Sequence, residues 1–298
     1  MDLRRRIVEF AGAASLEVTS HDRESRQQLI GLLAAGSTVY VAHTPNSTIG
    51  DVAEAACEVE GDGFRACPHV VARRVPDQRA LTDALARMQR RGVTRALLVA
   101  GDQQPPAGAF ASSLDVLATG ALEAHGFTSL GFAGHPEGNP RIDEAALWSS
   151  LADKQRHGER TGAKLHIVSQ FSFDAEAIVA WLRRLDNEGI TLPVHVGIMG
   201  PATIGTLIRY ARLCGIGESL RALTSRMGEP SLLRGLAASA EEMLVHIVRA
   251  REEGLAARIV QPHFFAFGGV VKTARWLQAI RDGDFELDAA GNTLTVRR

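Results

Sequence analysis

Short apolar runs of β character alternate with longer amphipathic stretches along the whole chain. The runs are Ser15–Thr19, Thr38–Ala42, Phe64–Val71, Arg95–Ala100, Thr128–Ala133, Leu165–Gln170, Pro193–Ile198 and Ala257–Pro262, which predicts eight strands. The segments between them carry helical spacing. Asp174–Glu188 places Ile178, Trp181, Leu182 and Leu185 on one face, with Asp174 as the expected N-cap. Asp77–Arg91 repeats the pattern with Leu81, Ala84, Leu85 and Met88. Gly36, Gly63, Gly92, Gly126, Gly162, Gly189 and Gly254 each stand after an amphipathic stretch and before an apolar run. Glycine takes the left-handed conformation past a helix end without a Cβ penalty, so these positions predict helix stops. The glycines recur every 27 to 36 residues, apart from a gap of 65 between Gly189 and Gly254. That gap is expected to hold an extra helix around Gly215–Arg226 before a long helix Glu229–Glu253. The tail Phe285–Val296 alternates around Gly291-Asn292 and predicts a terminal hairpin.

Eight β/α units in a chain of 298 residues predict an α/β fold, the TIM (β/α)8 barrel. A doubly wound sheet is the competing fold, but no GxGxxG follows any predicted strand. With no low-complexity linker, one domain is expected over 1–298, with the barrel at about 14–282 and the tail at 283–298. Net charge is −1, which gives no electrostatic case for nucleic acid or an anionic membrane. No apolar run approaches the roughly 20 residues of a membrane helix. Cys57, Cys67 and Cys214 form no CxxC pair, which favours a reducing cytoplasm.

A barrel carries its active site at the C-terminal ends of its strands. The polar residues there are Glu17, His43, His69, Asp102, His135 with Glu137, Gln170, His195 and His263. That concentration argues for an enzyme. Glu17 stands between Leu16 and Val18, so its side chain points opposite to theirs; a carboxylate turned into a barrel is costly unless paired or protonated. The plainer readings are that Asp102 caps a loop, Gln170 bonds backbone, and His69 and His195 are satisfied core histidines. The histidines are too widely separated for a metal set, so none is assigned. Lys164 begins a strand at the wrong end for a Schiff base, Lys154 lies in a helix and Lys272 begins the last one.

Six short motifs, in order, resemble the methylenetetrahydrofolate reductases. Ser15-Leu16-Glu17 resembles the family's Ser-Phe-Glu, and Pro68-His69 its Pro-His. Gly101-Asp102 with Pro105-Pro106 resembles Gly-Asp-Leu-Pro-Pro, and Pro136-Glu137 with Pro140 resembles Tyr-Pro-Glu-x-His-Pro. Gln170-Phe171 with Phe173-Asp174 resembles Thr-Gln-Phe-x-Phe-Asp, and His263-Phe264-Phe265 resembles His-Phe-Tyr. The resemblance implies reduction of 5,10-methylenetetrahydrofolate to 5-methyltetrahydrofolate. It makes Glu17 the general acid that opens the imidazolidine ring, a role that wants a protonated carboxyl. It gives Asp102 the pterin edge and Gln170 the pterin or the reductant stacked on it, with Phe171 beside them at the substrate. His43, His69, His135, Glu137, Lys154 and Phe265 fall on its cofactor side.

The departures lie mostly on that cofactor side. Ala42-His43-Thr44-Pro45 stands where the family has Thr-Tyr-Gly-Ala, Ala100 where it has Arg, His135 where it has Tyr, Asn139 where it has His, and Gly269 where it has Arg. A basic cluster before the sixth strand is displaced, with Lys154 nearest. The resemblance therefore points to a flavin-independent branch, with hydride passing directly from NADH or NADPH to the folate; the FAD-dependent reductase is the alternative. A non-catalytic folate-binding subunit and an unrelated barrel lyase or hydrolase are the competing classes. A homo-oligomer is compatible with all of them.

Overall fold

The seven glycines expected to stop helices all take positive φ, between 71° and 119°. The computed structural model describes residues 2–214, 216 and 239–297. Eight strands close into one parallel barrel in chain order. They are β1 Ser15–Thr19, β2 Thr38–Ala42, β3 Arg65–Val71, β4 Arg95–Val99, β5 Ser129–Gly134, β6 Lys164–Ser169, β7 Val194–Met199 and β8 Ile259–Phe265. The helices are α1 Leu3–Gly12, α2 Arg23–Gln27, α3 Ile49–Gly61, α4 Gln78–Gln89, α5 Ser113–Ala118, α6 Ala121–Ala124, α7 Glu144–Thr161, α8 Ala175–Asn187, α9 Ile204–Cys214, α10 Ala240–Ala250 and α11 Val270–Asp282. Strands β9 Phe285–Leu287 and β10 Leu294–Val296 form the expected antiparallel hairpin.

Local chemistry sets the helix starts. Asp77 and Asp174 accept first-turn N–H groups as N-caps of α4 and α8. Capping boxes open α3 at Thr48 and Asp51, and α10 at Ser239 and Glu242. The second box corrects the long helix expected from Glu229. Ser239 is non-helical, so α10 starts there and ends before a π turn at Arg251–Leu255 that holds Gly254. Residues 229–238, and 217–226 of the expected extra helix, lie outside the described residues. The first amphipathic stretch also differs: only Arg23–Gln27 is helical, and an irregular segment reaches Gly36. Strand β8 runs three residues past the expected stop at Pro262. Proline fits extended backbone, and Pro262 pairs in register with Val196.

The chain packs as two compact units. The first comprises Ser15–Ala133 and Asp153–Ile167; the second comprises Met1–Ala14, Gly134–Ala152 and Val168–Arg298. In the first, Leu16, Val18, Val39 and Val41 are buried on one face of β1 and β2, while Glu17 pairs in register with Tyr40 and Tyr40 with Cys67 on the other. In the second, β7 lies tight against Ser169, whose hydroxyl accepts the Gly197 N–H at 2.8 Å. Arg4 of α1 donates to the carbonyls of Gly283 and Phe285 at 2.7 and 2.6 Å, and its guanidinium stacks on the Phe285 ring.

Candidate functional site

Strand alternation and parallel register carry Glu17 to the polar face at the end of β1. There Oε2 of Glu17 stands 3.2 Å from Nε2 of His69, with both side chains largely buried. The contact is close but off-line for a hydrogen bond, since His69 Nε2 has no partner of good geometry among the described residues. Beside it, the Tyr40 hydroxyl lies 3.0 Å from His166 Nε2, deep in the interior. Gly131 leaves room for that imidazole; a Cβ there would stand 2.7 Å from His166 Nε2. Burial, with Cys67 next to it, pushes the Tyr40 phenol well above its usual range, and burial pushes the Cys67 thiol up to about 12. Both are neutral at neutral pH, so neither places an anion beside Glu17 and His69.

Tyr40 and His166 escaped the sequence reading because it searched strand ends. The signal was present: His166 shares its alternation with Gln170, and Tyr40 sits opposite Glu17 once adjacent parallel strands are aligned.

Asp102 follows β4 on an exposed loop, and its Oδ1 accepts from Arg74 Nη2 at 3.1 Å. The carboxylate expected at a pterin edge is thus joined to an arginine that sequence spacing did not suggest. His43, at the end of β2, is 8% exposed. Its Nε2 donates to the Ser47 carbonyl at 3.0 Å, leaving Nδ1 as an acceptor with no partner among the described residues. Burial lowers its pKa to about 4, so the ring is neutral. His135 and Glu137 occupy a half-buried turn after β5, closed by the Gly138 N–H on the His135 carbonyl at 3.0 Å.

In the second unit Gln170 Oε1 accepts the Phe171 N–H at 3.2 Å. Phe171 is 1% exposed and packs against Phe173, Phe265 and Phe267. It is enclosed in this aromatic cluster, with almost no surface open to a substrate. Phe265 and Phe267 lie nearly parallel at 5.5 Å, and Tyr210 stacks on Phe267 at 4.2 Å. These half-buried rings offer a flat aromatic surface. The spacing Phe264-Phe265-Ala266-Phe267 carried the signal for Phe267; Tyr210 comes from α9, which the sequence reading did not place.

Lys154 departs most from its expected role. Its ammonium lies 5.1 Å over the Phe132 ring, on the helix-facing side of β5. The residue is buried on α7 without an ion-pair partner among the described residues, and burial lowers its pKa to about 8. An amphipathic helix turned one more residue inward explains it: Lys154 replaces an apolar side chain in the helix–strand layer. Lys154→Met is therefore expected to stabilise the protein by about 1–2 kcal/mol at pH 7, because it removes a desolvated charge and loses only a cation–π contact. The unfolded lysine holds its proton to about 10.5, so wild-type stability recovers as pH rises through the window from 8 to 10.5. The variant's advantage should shrink across that window in urea titrations; a less stable variant at pH 7 would contradict the assignment.

Among the described residues no group of three or more His, Cys, Asp or Glu stands where it would hold a metal. No described helix is long and apolar enough to cross a membrane.

Residues 34–252 match the model of the methylenetetrahydrofolate reductase family. Asp102 and Gln170 fall inside that span, and Glu17 precedes it. Among solved structures, the chain is similar to a Clostridium thermocellum protein described as uncharacterised and as binding two copies of 5-methyl-5,6,7,8-tetrahydrofolic acid. The TM-score is 0.58 at 12% identity, covering 94% of this chain and 100% of that one. The 3-dehydroquinate dehydratase of Aquifex aeolicus VF5 matches at TM-score 0.47 and 11% identity, over 90% of this chain and 97% of that one. These are likenesses of fold.

Proposed function

The chain belongs to the methylenetetrahydrofolate reductase family, and on that premise we propose that it reduces 5,10-methylenetetrahydrofolate to 5-methyltetrahydrofolate with hydride taken directly from NADH or NADPH. The observation that carries the reading is the Glu17–His69 pair, 3.2 Å apart and largely buried at the strand ends. The fold likeness to a protein that binds the product, 5-methyltetrahydrofolate, supports the substrate class.

Reduction consumes one proton and one hydride. Glu17 donates the proton to the ring nitrogen that departs as the imidazolidine opens, which leaves an iminium on the substrate. His69 stands 3.2 Å from the same carboxyl and fixes its place. The neutral Tyr40 phenol puts no second anion beside the acid. Positioning supplies most of the remaining acceleration. The nicotinamide supplies the hydride.

A flavin is the family's usual redox group. The residues that the resemblance places around it fit it poorly here. Lys154 is enclosed against Phe132, and the His43 Nε2–H is held by Ser47. No step is routed through a flavin.

The test is one spectrum and one assay on the purified protein. The expected result is NADH oxidation only after methylenetetrahydrofolate is added, with no flavin absorbance. Flavin bands that bleach with NADH would overturn direct transfer. Folate binding without NADH oxidation would leave a binding subunit in place of an enzyme.

A further inference from the structure

A cavity of about 410 Å³ opens beside α3 and α4 of the first unit. That volume lies within the range of about 300–1,000 Å³ typical of small-molecule sites. None of the lining residues belongs to the Glu17–His69 pair. One wall is Pro45 with the first turn of α3 at Thr48, Ile49 and Gly50. The opposite wall is Pro76 with Ala80, Ala84 and Arg87, one face of α4 at helical spacing. The floor holds Arg74, and Gln103 lies at the edge beside Asp102.

The slot exists because α4 presents alanine at two successive turns where a larger side chain would fill it. Two prolines and Ile49 give it flat, rigid, apolar sides, the surfaces that take an aromatic heterocycle. Two arginines face it against one acid, Asp83, which is exposed and pairs loosely with Arg79 at 3.7 Å. The Arg74 side chain is only 13% exposed, and its counter-charge among the described residues, Asp102, is 64% exposed. The capping box uses the N–H groups of Thr48 and Asp51. Those of Ile49 and Gly50 are first-turn donors without an intrahelical acceptor. The cavity thus combines an apolar slot, two guanidiniums and first-turn amide donors, which matches a base and its phosphates.

We propose that this cavity binds the adenosine diphosphate half of the nicotinamide dinucleotide. The inference rests on the reductase reading and deepens it. Direct hydride transfer needs a dinucleotide site, and the chain has no GxGxxG turn to provide one. The Arg74–Asp102 contact ties the cavity to the loop that follows β4, so an anion on Arg74 would loosen its hold on Asp102.

The test is calorimetric titration of the full chain with ADP, and separately with NADH, FAD and 5-methyltetrahydrofolate. Ala80→Trp fills the slot and Arg87→Glu reverses the charge at its exposed rim; circular dichroism checks that each folds. Wild type should bind ADP. Both variants should weaken ADP and NADH about tenfold or more and leave 5-methyltetrahydrofolate affinity within about twofold, a tenfold change being about 1.4 kcal/mol. Arg87→Glu keeps the test decisive if Ala80→Trp does not fold. Absence of ADP binding to wild type, or equal binding by a folded variant, would overturn the proposal. So would FAD affinity that falls in the variants while NADH affinity holds, because the adenosine diphosphate recognised would then be the flavin's. ADP and NADH binding with no 5-methyltetrahydrofolate binding would sink the reductase reading and keep the cavity.

Discussion

Glu17→Gln lowers kcat by about 10²–10⁴-fold, the usual worth of a positioned general acid, and barely changes the dissociation constant of 5-methyltetrahydrofolate. The amide keeps the size of the side chain and its place beside His69, but it has no acidic proton for the departing ring nitrogen. The product analogue needs no such proton, so its affinity is the control. Steady-state kinetics with saturating NADH, paired with equilibrium binding, separates the two quantities. A rate within a few-fold of wild type would remove Glu17 as the acid. A large loss of folate affinity would make it a binding group.

Gly197→Ala is the second large effect, this time on stability. A Cβ at that position in β7 would stand 2.1 Å from the Ser169 carbonyl oxygen and 2.7 Å from Cε2 of Phe265. The Phe265 ring can turn aside, but the carbonyl is backbone of β6 and cannot. The strands must part, which also stretches the 2.8 Å bond from the Gly197 N–H to the Ser169 hydroxyl. The expected cost is about 3 kcal/mol or more, at the upper end for overpacking a core. Urea denaturation measures it; a midpoint equal to wild type would show that the backbone yields more easily than this geometry allows. Gln170 follows Ser169 directly, so a folded variant should also bind folate more weakly.

Seven of the eight strands were legible in the sequence because each is short, apolar and preceded by a glycine whose backbone had one role; β1 is the exception. Gly92 and Gly189 show why: both take left-handed φ immediately past an amphipathic segment. Boundaries failed where a local rule met a long-range one. Pro262 reads as a stop, yet register with Val196 carries β8 through it. Glu229–Glu253 reads as one helix because its apolar spacing is continuous, while the break at Ser239 depends on a side-chain hydrogen bond.

The site divides in the same way. Glu17 and His69 could be found from strand position alone, since each needs only alternation and a parallel neighbour. The Arg74–Asp102 pair spans 28 residues and two loops, and nothing in local pattern links them. Phe171 and Lys154 turn away from open surface for a common reason. A motif fixes which residue stands at a position, but the direction of its side chain is set by the layer behind it. For Phe171 that layer is the aromatic cluster, and for Lys154 it is Phe132.

The placement of the tryptophans has an optical consequence. Trp148, Trp181 and Trp276 all belong to the second unit. Trp276 is held by a 2.7 Å bond to Glu241, and Trp148 lies under the Arg184 guanidinium. Intrinsic emission therefore samples one unit, and Glu17, His69 and the cavity beside α3 belong to the other. A signal carried by the ligand, such as the fluorescence of reduced nicotinamide, reports on those sites directly. Emission during denaturation would trace the tryptophan-bearing unit, while far-ultraviolet ellipticity follows both.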